Sequence, residues 1–280
     1  MPFNEEARTK LDAIIHGAAV GETVGLLAST MSEAERAEKL TPEGILQLSR
    51  QSDLTSTSAE MLRATSKGLE AAAAAGSPSN LDVRVQLHQA YREWATTSPL
   101  ACQFRSIRMT RAIHSGQLGS FTSVERGGCD GMLCVSPIGL AFSDDPGRAF
   151  QIGAEAASLL DADFNSYLAA GVVALLFALM EQGASNREAI AETLAFIRPL
   201  DWPCDVSNTL RSILESEYPP GAHAHPACAD LFSAVSAASQ GSSLFRVGVT
   251  AETLRASSSA VTLAVQFECA ASTFHGRGAM

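Results

Sequence analysis

The sequence predicts an all-α protein, and three observations support that prediction. Hydrophobic residues make up 46% of the 280 residues and aromatic residues only 6%. With abundant alanine, this balance suits closely packed helices, because alanine has the highest helix propensity and lets helix axes approach. Apolar residues recur at helical spacing along most of the chain, and we find no convincing strand alternation and no internal repeat. We therefore expect one all-α domain of roughly ten or more helices.

The first predicted helix runs from Glu5 to about Thr30 and carries a stripe of glycines. These glycines are spaced four residues apart: Gly17, Gly21 and Gly25. A bare helix face lets another group come close, either a neighbouring backbone or a ligand. Close helix packing is the commoner cause of such a stripe.

Helix-start and helix-stop residues divide the rest of the chain into shorter predicted helices. The predicted starts are Ser32 with Glu35 as a capping box, Asp53, Leu81, Pro99, Asp145 with Pro146, and Asn186. The predicted breaks are a turn at 41–44, loops at 76–80 and 116–131, and Pro199. The segment from Asn165 to Met180 is apolar almost all round, so we expect a central, buried helix there. Three further helices are predicted near 206–214, 227–238 and 250–271.

Charge and cysteine content exclude several classes of protein. The chain has 20 basic and 30 acidic residues and a net charge of −10, so neither a nucleic acid nor an anionic membrane is an expected partner. Six cysteines occur without a CxxC pair, which indicates buried thiols rather than a zinc cluster or a disulfide framework. The first ten residues lack the apolar core of a signal peptide, and the most apolar run has 12 residues, fewer than the ~20 of a membrane span. We expect a cytoplasmic protein.

The stretch from Gln51 to Leu69 contains the candidate metal ligands. Ser52, Asp53 and Thr55 precede an amphipathic run. Their oxygens can cap a helix start, and carboxylate and hydroxyl oxygens are also the ligands that Mg²⁺ and Ca²⁺ prefer. Both interpretations fit these residues.

Three motifs follow one another along the chain: GAAVGETVG at 17–25, SDLT at 52–55 and GCDGMLCVSPIGLAF at 128–142. In this order they resemble motifs of the ADP-ribosylglycohydrolase family. The first resembles Gly-Asp-Ala-x-Gly of its first helix, and the second stands where the family has the metal-binding Thr-Asp-Asp-Thr. The third resembles Asn-Gly-x-x-Met-Arg-x-Ala-Pro-x-Gly, the loop that holds ADP-ribose. The resemblance is clearest over 11–194.

This resemblance implies a fold and a reaction. The implied fold is a compact single-domain orthogonal multi-helix bundle that covers residues 1–280, and the implied reaction is removal of ADP-ribose by two Mg²⁺ ions. The implied ligand-binding residues are Glu22, Gly128, Cys129, Asp130, Gly131, Met132 and Cys134. A remnant metal site would comprise Ser52, Asp53 and Thr55, and Glu22 and Asp53 would be catalytic in an active enzyme.

Several residues depart from the family pattern. Leu54 stands where the second metal-binding carboxylate is expected, and an isobutyl group cannot coordinate a hard cation. Cys134 occupies the arginine position of the ribose loop, and Asp130 would meet a pyrophosphate with a carboxylate. The other departures are Glu22 for Asp, Ser29 for an acid, Cys129 with Asp130 for Asn-Gly, and Leu160-Asp161 for Thr-His.

The C-terminal region lacks the second metal motif of the family, Gly-Gly-Asp-x-Asp-Thr. After Arg246 the only acids are Glu252 and Glu268, which are too far apart to replace two carboxylates in one tight turn. Metal-assisted hydrolysis needs ions that polarise the substrate and position water. The missing ligands therefore predict a degenerate member without that reaction.

Three hypotheses follow. The first is a pseudoenzyme that binds a protein partner or an ADP-ribosylated target and needs no cofactor. Bacterial proteins that resemble this family act in regulation or in immunity to ADP-ribosylating toxins, and the resemblance implies such a role here. The second is an active Mg²⁺-dependent ADP-ribosylglycohydrolase that uses one or two ions around Glu22, Asp53 and Thr55. The third is a sensor that binds ADP-ribose or a related nucleotide without cleaving it.

Overall fold

The computed structural model describes residues 3–50, 54, 56–76, 78–103, 106–115, 129–161, 163–200, 205–215, 226–239 and 258–274. Within these ranges the chain forms thirteen α-helices and three short 3₁₀ turns, with no strand. The prediction of an all-α fold is confirmed. The helices are α1 (Glu5–Thr30), α2 (Glu33–Lys39), α3 (Pro42–Ser49), α4 (Thr57–Ala74), α5 (Asn80–Thr97), α6 (Ile107–Ser115), α7 (Ser136–Ala141), α8 (Pro146–Ser158), α9 (Phe164–Glu181), α10 (Asn186–Ile197), α11 (Asp205–Glu215), α12 (Pro226–Ser239) and α13 (Ser258–Phe274). The 3₁₀ turns span Pro99–Cys102, Met132–Cys134 and Arg198–Leu200.

Side-chain caps start two of these helices at the residues that the sequence predicts. Ser32 and Glu35 form the predicted capping box of α2, and Asp145 caps α8 with Pro146 in its first turn. Ser79 with Asp82 forms another capping box, on α5. In each box a hydroxyl and a carboxylate satisfy backbone amides that have no partner inside the helix.

Four predicted boundaries were wrong. The helix expected from Asp53 is α4, which begins at Thr57 and is capped by Ser56. Ser185, not Asn186, caps α10, because Ser185 forms a capping box with Glu188. We expected a turn at 41–44, but α3 starts there. We expected one helix from Pro99, but a 3₁₀ turn lies there and is followed by α6.

Helix α9 forms the centre of the bundle, as predicted. Asp163 caps it by accepting hydrogen bonds from the amides of Asn165 and Ser166, and every residue from Leu168 to Met180 is buried. It packs against α7, α8, α10, α11, α12 and α13. By length and hydropathy α1 and α9 could each cross a membrane, but 61% and 78% of their apolar windows are buried in the protein. Packing against neighbouring helices accounts for this apolarity.

The glycine stripe of α1 packs against α13. A Cβ on Gly21 would lie 2.7 Å from the Cα of Thr262, and a Cβ on Gly17 would lie 2.6 Å from the Sγ of Cys269. Both distances are too short for a methyl group, so these two glycines allow the axes of α1 and α13 to approach closely. Gly17 and Gly21 therefore serve close helix packing. This is the commoner of the two explanations that we gave for the glycine stripe.

The described cysteines are free thiols. Cys129, Cys134 and Cys228 are buried, Cys269 is half-buried and Cys102 is exposed. The expectation of buried thiols therefore holds for three of these five. Cys204 lies outside the described ranges.

Candidate functional site

The first-helix motif and the start of α4 meet at Glu22. The Oε2 atom of Glu22 accepts a hydrogen bond of 2.9 Å from the backbone amide of Ser58. The amide of Ala59 donates to the Oγ atom of Ser56 at 3.0 Å. These amides belong to the helix N-terminus, where unpaired N–H groups and the helix dipole favour a negative charge. The carboxylate of Glu22 on α1 therefore binds the N-terminus of α4.

The predicted cation ligands Ser52, Asp53 and Thr55 lie outside the described residues. Leu54 between them is described, and its side chain is half-buried against the hydrophobic core. The residue at the position of the second metal-binding carboxylate is thus a packing residue.

The ribose-loop motif is described from Cys129 onward, and Gly128 lies outside the described residues. The 3₁₀ turn Met132–Cys134 is buried and contacts α4, α9 and α13. A Cβ on Gly131 would lie 2.7 Å from the Cβ of Ala157 on α8. Gly131 therefore lets this turn approach α8, a packing role that is independent of any ligand.

Cys134 brings the two predicted acidic residues into one region. Its Sγ atom donates a hydrogen bond of 3.1 Å to the carbonyl of Asp130. Burial raises the pKa of this thiol well above its ordinary value, and the negative charges of Asp130 and Glu22 raise it further. The thiol consequently stays protonated at neutral pH, so it is neither a thiolate nucleophile nor a positive charge for a phosphate.

Tyr91 of α5 lies on the inner side of the same region. Its hydroxyl forms a 2.9 Å hydrogen bond with the Oγ1 atom of Thr65 on α4, and both residues are fully buried. Burial raises the pKa of Tyr91, and the neighbouring Cys134 also raises it. Tyr91 therefore lies beside the described part of the ribose-loop motif, residues 129–142, which we call the candidate loop.

Two residues that the sequence analysis missed hold the candidate loop from the C-terminal half. Cys129 donates to the carboxylate of Asp230, a buried acid of α12. Gln266 of α13 donates to the carbonyl of Leu133 at 3.2 Å and accepts from the hydroxyl of Ser136 at 3.1 Å. Asp230 lies in the stretch ADLFSAV and Gln266 in TLAVQF, where the only other polar residue is a small hydroxyl residue. That pattern is the signal that could have identified both.

Asp161, which replaces the histidine of the family's Thr-His pair, is buried. Its Oδ1 atom accepts a hydrogen bond of 3.0 Å from the backbone amide of Asp163, the cap of α9. Asp161 therefore shapes the turn that leads into the central helix.

The described donor atoms do not fit a two-magnesium centre. No group of three or more His, Cys, Asp or Glu side chains within the described ranges could hold a metal ion. Glu22 is hydrogen-bonded to a helix amide, and Leu54 has no donor atom that could bind Mg²⁺. The region instead combines two carboxylates with neutral hydrogen-bonding groups, an environment unfavourable to a diphosphate.

Comparison with known proteins agrees with this order of motifs. The family model described as ADP-ribosylglycohydrolase matches residues 4–274, and no curated protein matches the chain. The match extends beyond 11–194, where the motifs are clearest, and includes α12 and α13, which hold the candidate loop. The chain belongs to the ADP-ribosylglycohydrolase family.

Proposed function

We propose that this family member has lost metal-dependent hydrolysis and acts by binding a protein partner or an ADP-ribosylated target. Family membership suggests a hydrolase of ADP-ribosyl linkages. The observation that carries the proposal is the uncharged, buried thiol of Cys134, which lies near Glu22 and Asp130 at the position of the family's arginine.

The metal chemistry of the family argues for the loss of hydrolysis. Two ions in such a site neutralise developing charge and position the attacking water. A Mg²⁺ ion gives up hydration water only for well-placed oxygen ligands. Leu54 offers none, and one oxygen of Glu22 is already engaged by the Ser58 amide.

The electrostatics of the site argue against tight binding of ADP-ribose alone. A diphosphate binds best where guanidinium groups or free helix amides face it. Here Cys134 replaces the guanidinium, and Glu22 occupies an amide at the start of α4. Recognition of a target would then depend on its protein part, and the net charge of −10 favours a basic surface. An ADP-ribosylating toxin with a basic cleft is one partner whose charge would complement this chain.

The proposal is tested by measuring binding and hydrolysis on the same samples. Isothermal titration with Mg²⁺ and then ADP-ribose is followed by an assay for release of ADP-ribose from an ADP-ribosylated protein, with and without a chelator. The variants are Asp53→Ala and Glu22→Gln. Asp12→Asn, which removes one exposed acid of the same helix α1, is the matched control. We expect no chelator-sensitive release by any of the four proteins.

The other outcomes identify the alternatives. Chelator-sensitive release that Asp53→Ala and Glu22→Gln abolish, while Asp12→Asn retains it, would establish an active hydrolase. Binding of ADP-ribose without release would identify a sensor. Under the proposal, the chain gives little heat with ADP-ribose and binds the ADP-ribosylated protein or a basic partner more tightly than the free ligand.

A further inference from the structure

A pocket lies at the opposite end of α4 from Glu22. It has a volume of about 210 Å³, smaller than the roughly 300–1,000 Å³ of sites for drug-sized ligands. Ser58 is in the first turn of α4 and Ala72 in its last, so about 20 Å of helix separates the two sites. Its lining includes Leu69, Ala72, Ala73, Val83, Asp144 and Arg148.

We propose that this pocket binds a small zwitterion of the amino-acid type with an apolar side chain. Its carboxylate would bind Arg148, its ammonium group would bind Asp144, and its side chain would contact the apolar wall formed by Leu69, Ala72 and Val83. The inference is independent of the function proposed for the family site.

Arg148 is held in place for binding a carboxylate. Its Nε atom donates to the Oδ1 atom of Asn80 at 3.0 Å, and one terminal nitrogen donates to the carbonyl of Pro78 at 2.6 Å. Its guanidinium carbon lies 4.6 Å from the centre of the Phe142 ring. These contacts use two of the five N–H groups, and no described carboxylate forms an ion pair with Arg148. The remaining N–H groups belong to a fixed planar fork, the arrangement that best recognises a carboxylate.

Asp144 provides the opposite charge in the same pocket. Its exposed side chain makes no hydrogen bond or ion pair with any part of the chain that the structure describes, including Arg148. The C-terminal end of α4 also lines this pocket, and the helix dipole favours a cation there. A bound ammonium group would therefore interact favourably with both.

The two charged residues and the apolar wall select against simpler ligands. Leu69, Ala72 and Val83 give the pocket an apolar wall, so an aliphatic side chain packed against it removes its own hydrocarbon surface from water. A simple carboxylate would face Asp144, and a simple amine would face Arg148, each at an electrostatic cost. A molecule with both charges and an aliphatic chain avoids both costs.

Isothermal titration with three probes of similar size tests the proposal. The probes are L-leucine, isovalerate, which lacks the ammonium group, and isoamylamine, which lacks the carboxylate. We expect L-leucine to bind most tightly and Asp144→Asn to weaken its binding about tenfold, with no loss of isovalerate binding. Glu192→Gln, which removes an exposed acid of α10, is the matched control and should bind L-leucine as the unchanged chain does.

Two additional variants keep the test decisive. Arg148→Gln should abolish binding of L-leucine, but it also removes contacts to Pro78 and Asn80, so its fold must be checked. Ala73→Leu adds bulk to the pocket wall without changing a charge and should also prevent binding. The proposal is overturned if L-leucine gives no heat at millimolar concentration, binds no better than isovalerate, or binds Asp144→Asn unchanged.

Discussion

Buried polar residues in this protein mostly have a specific partner. Lys10 forms ion pairs with Glu181 at 2.8 Å and Glu6 at 3.0 Å, and Cys134 donates to a backbone carbonyl. His88 is the instructive exception. It is buried and hydrogen-bonds to the backbone of Ile113, but its Nε2 atom has no partner within the described residues. A protonated His88 would bury an unpaired N–H group and a positive charge.

His88 should make the protein less stable in mild acid. Burial lowers the pKa of His88, and Arg92 and Arg84 lower it further, against the opposing hydrogen bond to Ile113. In the unfolded chain the histidine takes up a proton near its ordinary pKa of about 6.5. The contribution of neutral His88 to the free energy of unfolding is therefore fully present above that pH. It decreases as the pH falls from there to the lower pKa of the folded state. Urea unfolding at several pH values between 8 and 5 measures this decrease.

A comparison of two histidine variants isolates this effect from other titrating groups. Burial raises the pKa of Glu155, so protonation of this carboxyl changes stability with the opposite sign as the pH falls. His88→Gln keeps a donor but cannot titrate, and its free energy of unfolding should fall less between pH 7.5 and 5.5. His114→Gln, at an exposed position of α6, should behave like the unchanged chain. Parallel curves for all three proteins would refute the role of His88.

Individual helices were predictable from the sequence wherever a local signal determined them. The capping box of α2 depends only on residues three apart, and the apolar run of α9 leaves no face for solvent. The start of α4 was missed because Ser52, Asp53, Thr55 and Ser56 are all good caps, and sequence alone does not rank them. The burial of Leu54 beside them depends on tertiary packing.

The site could be predicted only in part, for a similar reason. The motifs indicated Glu22, Asp130 and Cys134, which lie in one region. The partners of Glu22, Cys134 and Cys129 come from other helices and are, in that order, Ser58, Tyr91 and Asp230. No short sequence pattern encodes which helices meet.

The α1–α13 pair provides a test at the level of single elements. In Gly21→Ala the new methyl group would meet the backbone of Thr262, which a side-chain rotation cannot relieve. Overpacking of this kind costs about 1–3 kcal/mol, whereas alanine gains up to about 1 kcal/mol in helix propensity. We expect a net loss of about 1 kcal/mol in the free energy of unfolding, measured by urea denaturation.

Gly147→Ala is the matched control. Gly147 is also helical, but its nearest neighbour to an added Cβ would be the ring of Phe196 at 3.5 Å, an ordinary contact. The same substitution should therefore leave stability unchanged or raise it. If both variants were equally stable, close packing would not explain the glycine stripe.

At the scale of the whole molecule, α13 connects the end of the described chain to the candidate loop in its middle. Gln266 forms hydrogen bonds with the carbonyl of Leu133 and the hydroxyl of Ser136. Gln266→Leu would leave this buried carbonyl and hydroxyl without their partner, at a cost of about 1–3 kcal/mol. We expect lower stability and a loosened loop.

Thiol accessibility can detect that loosening. In the folded chain Cys102 is exposed, while Cys129 and Cys134 are buried. A thiol-specific reagent should label the latter two faster in Gln266→Leu, with mass spectrometry assigning each site. Gln89→Leu, an exposed change on α5, is the control. Unchanged labelling of both cysteines would show that Gln266 does not hold the loop.

The contact between Gly21 and Thr262 also has a consequence for protein synthesis. These residues touch in the folded protein, yet about 240 residues separate them. A ribosome that adds roughly 5–20 residues per second needs roughly 10–50 s to make that segment. During this time the glycine face of the nascent first helix has no α13 to cover it. Its burial against α13 therefore cannot begin until Thr262 has been synthesised.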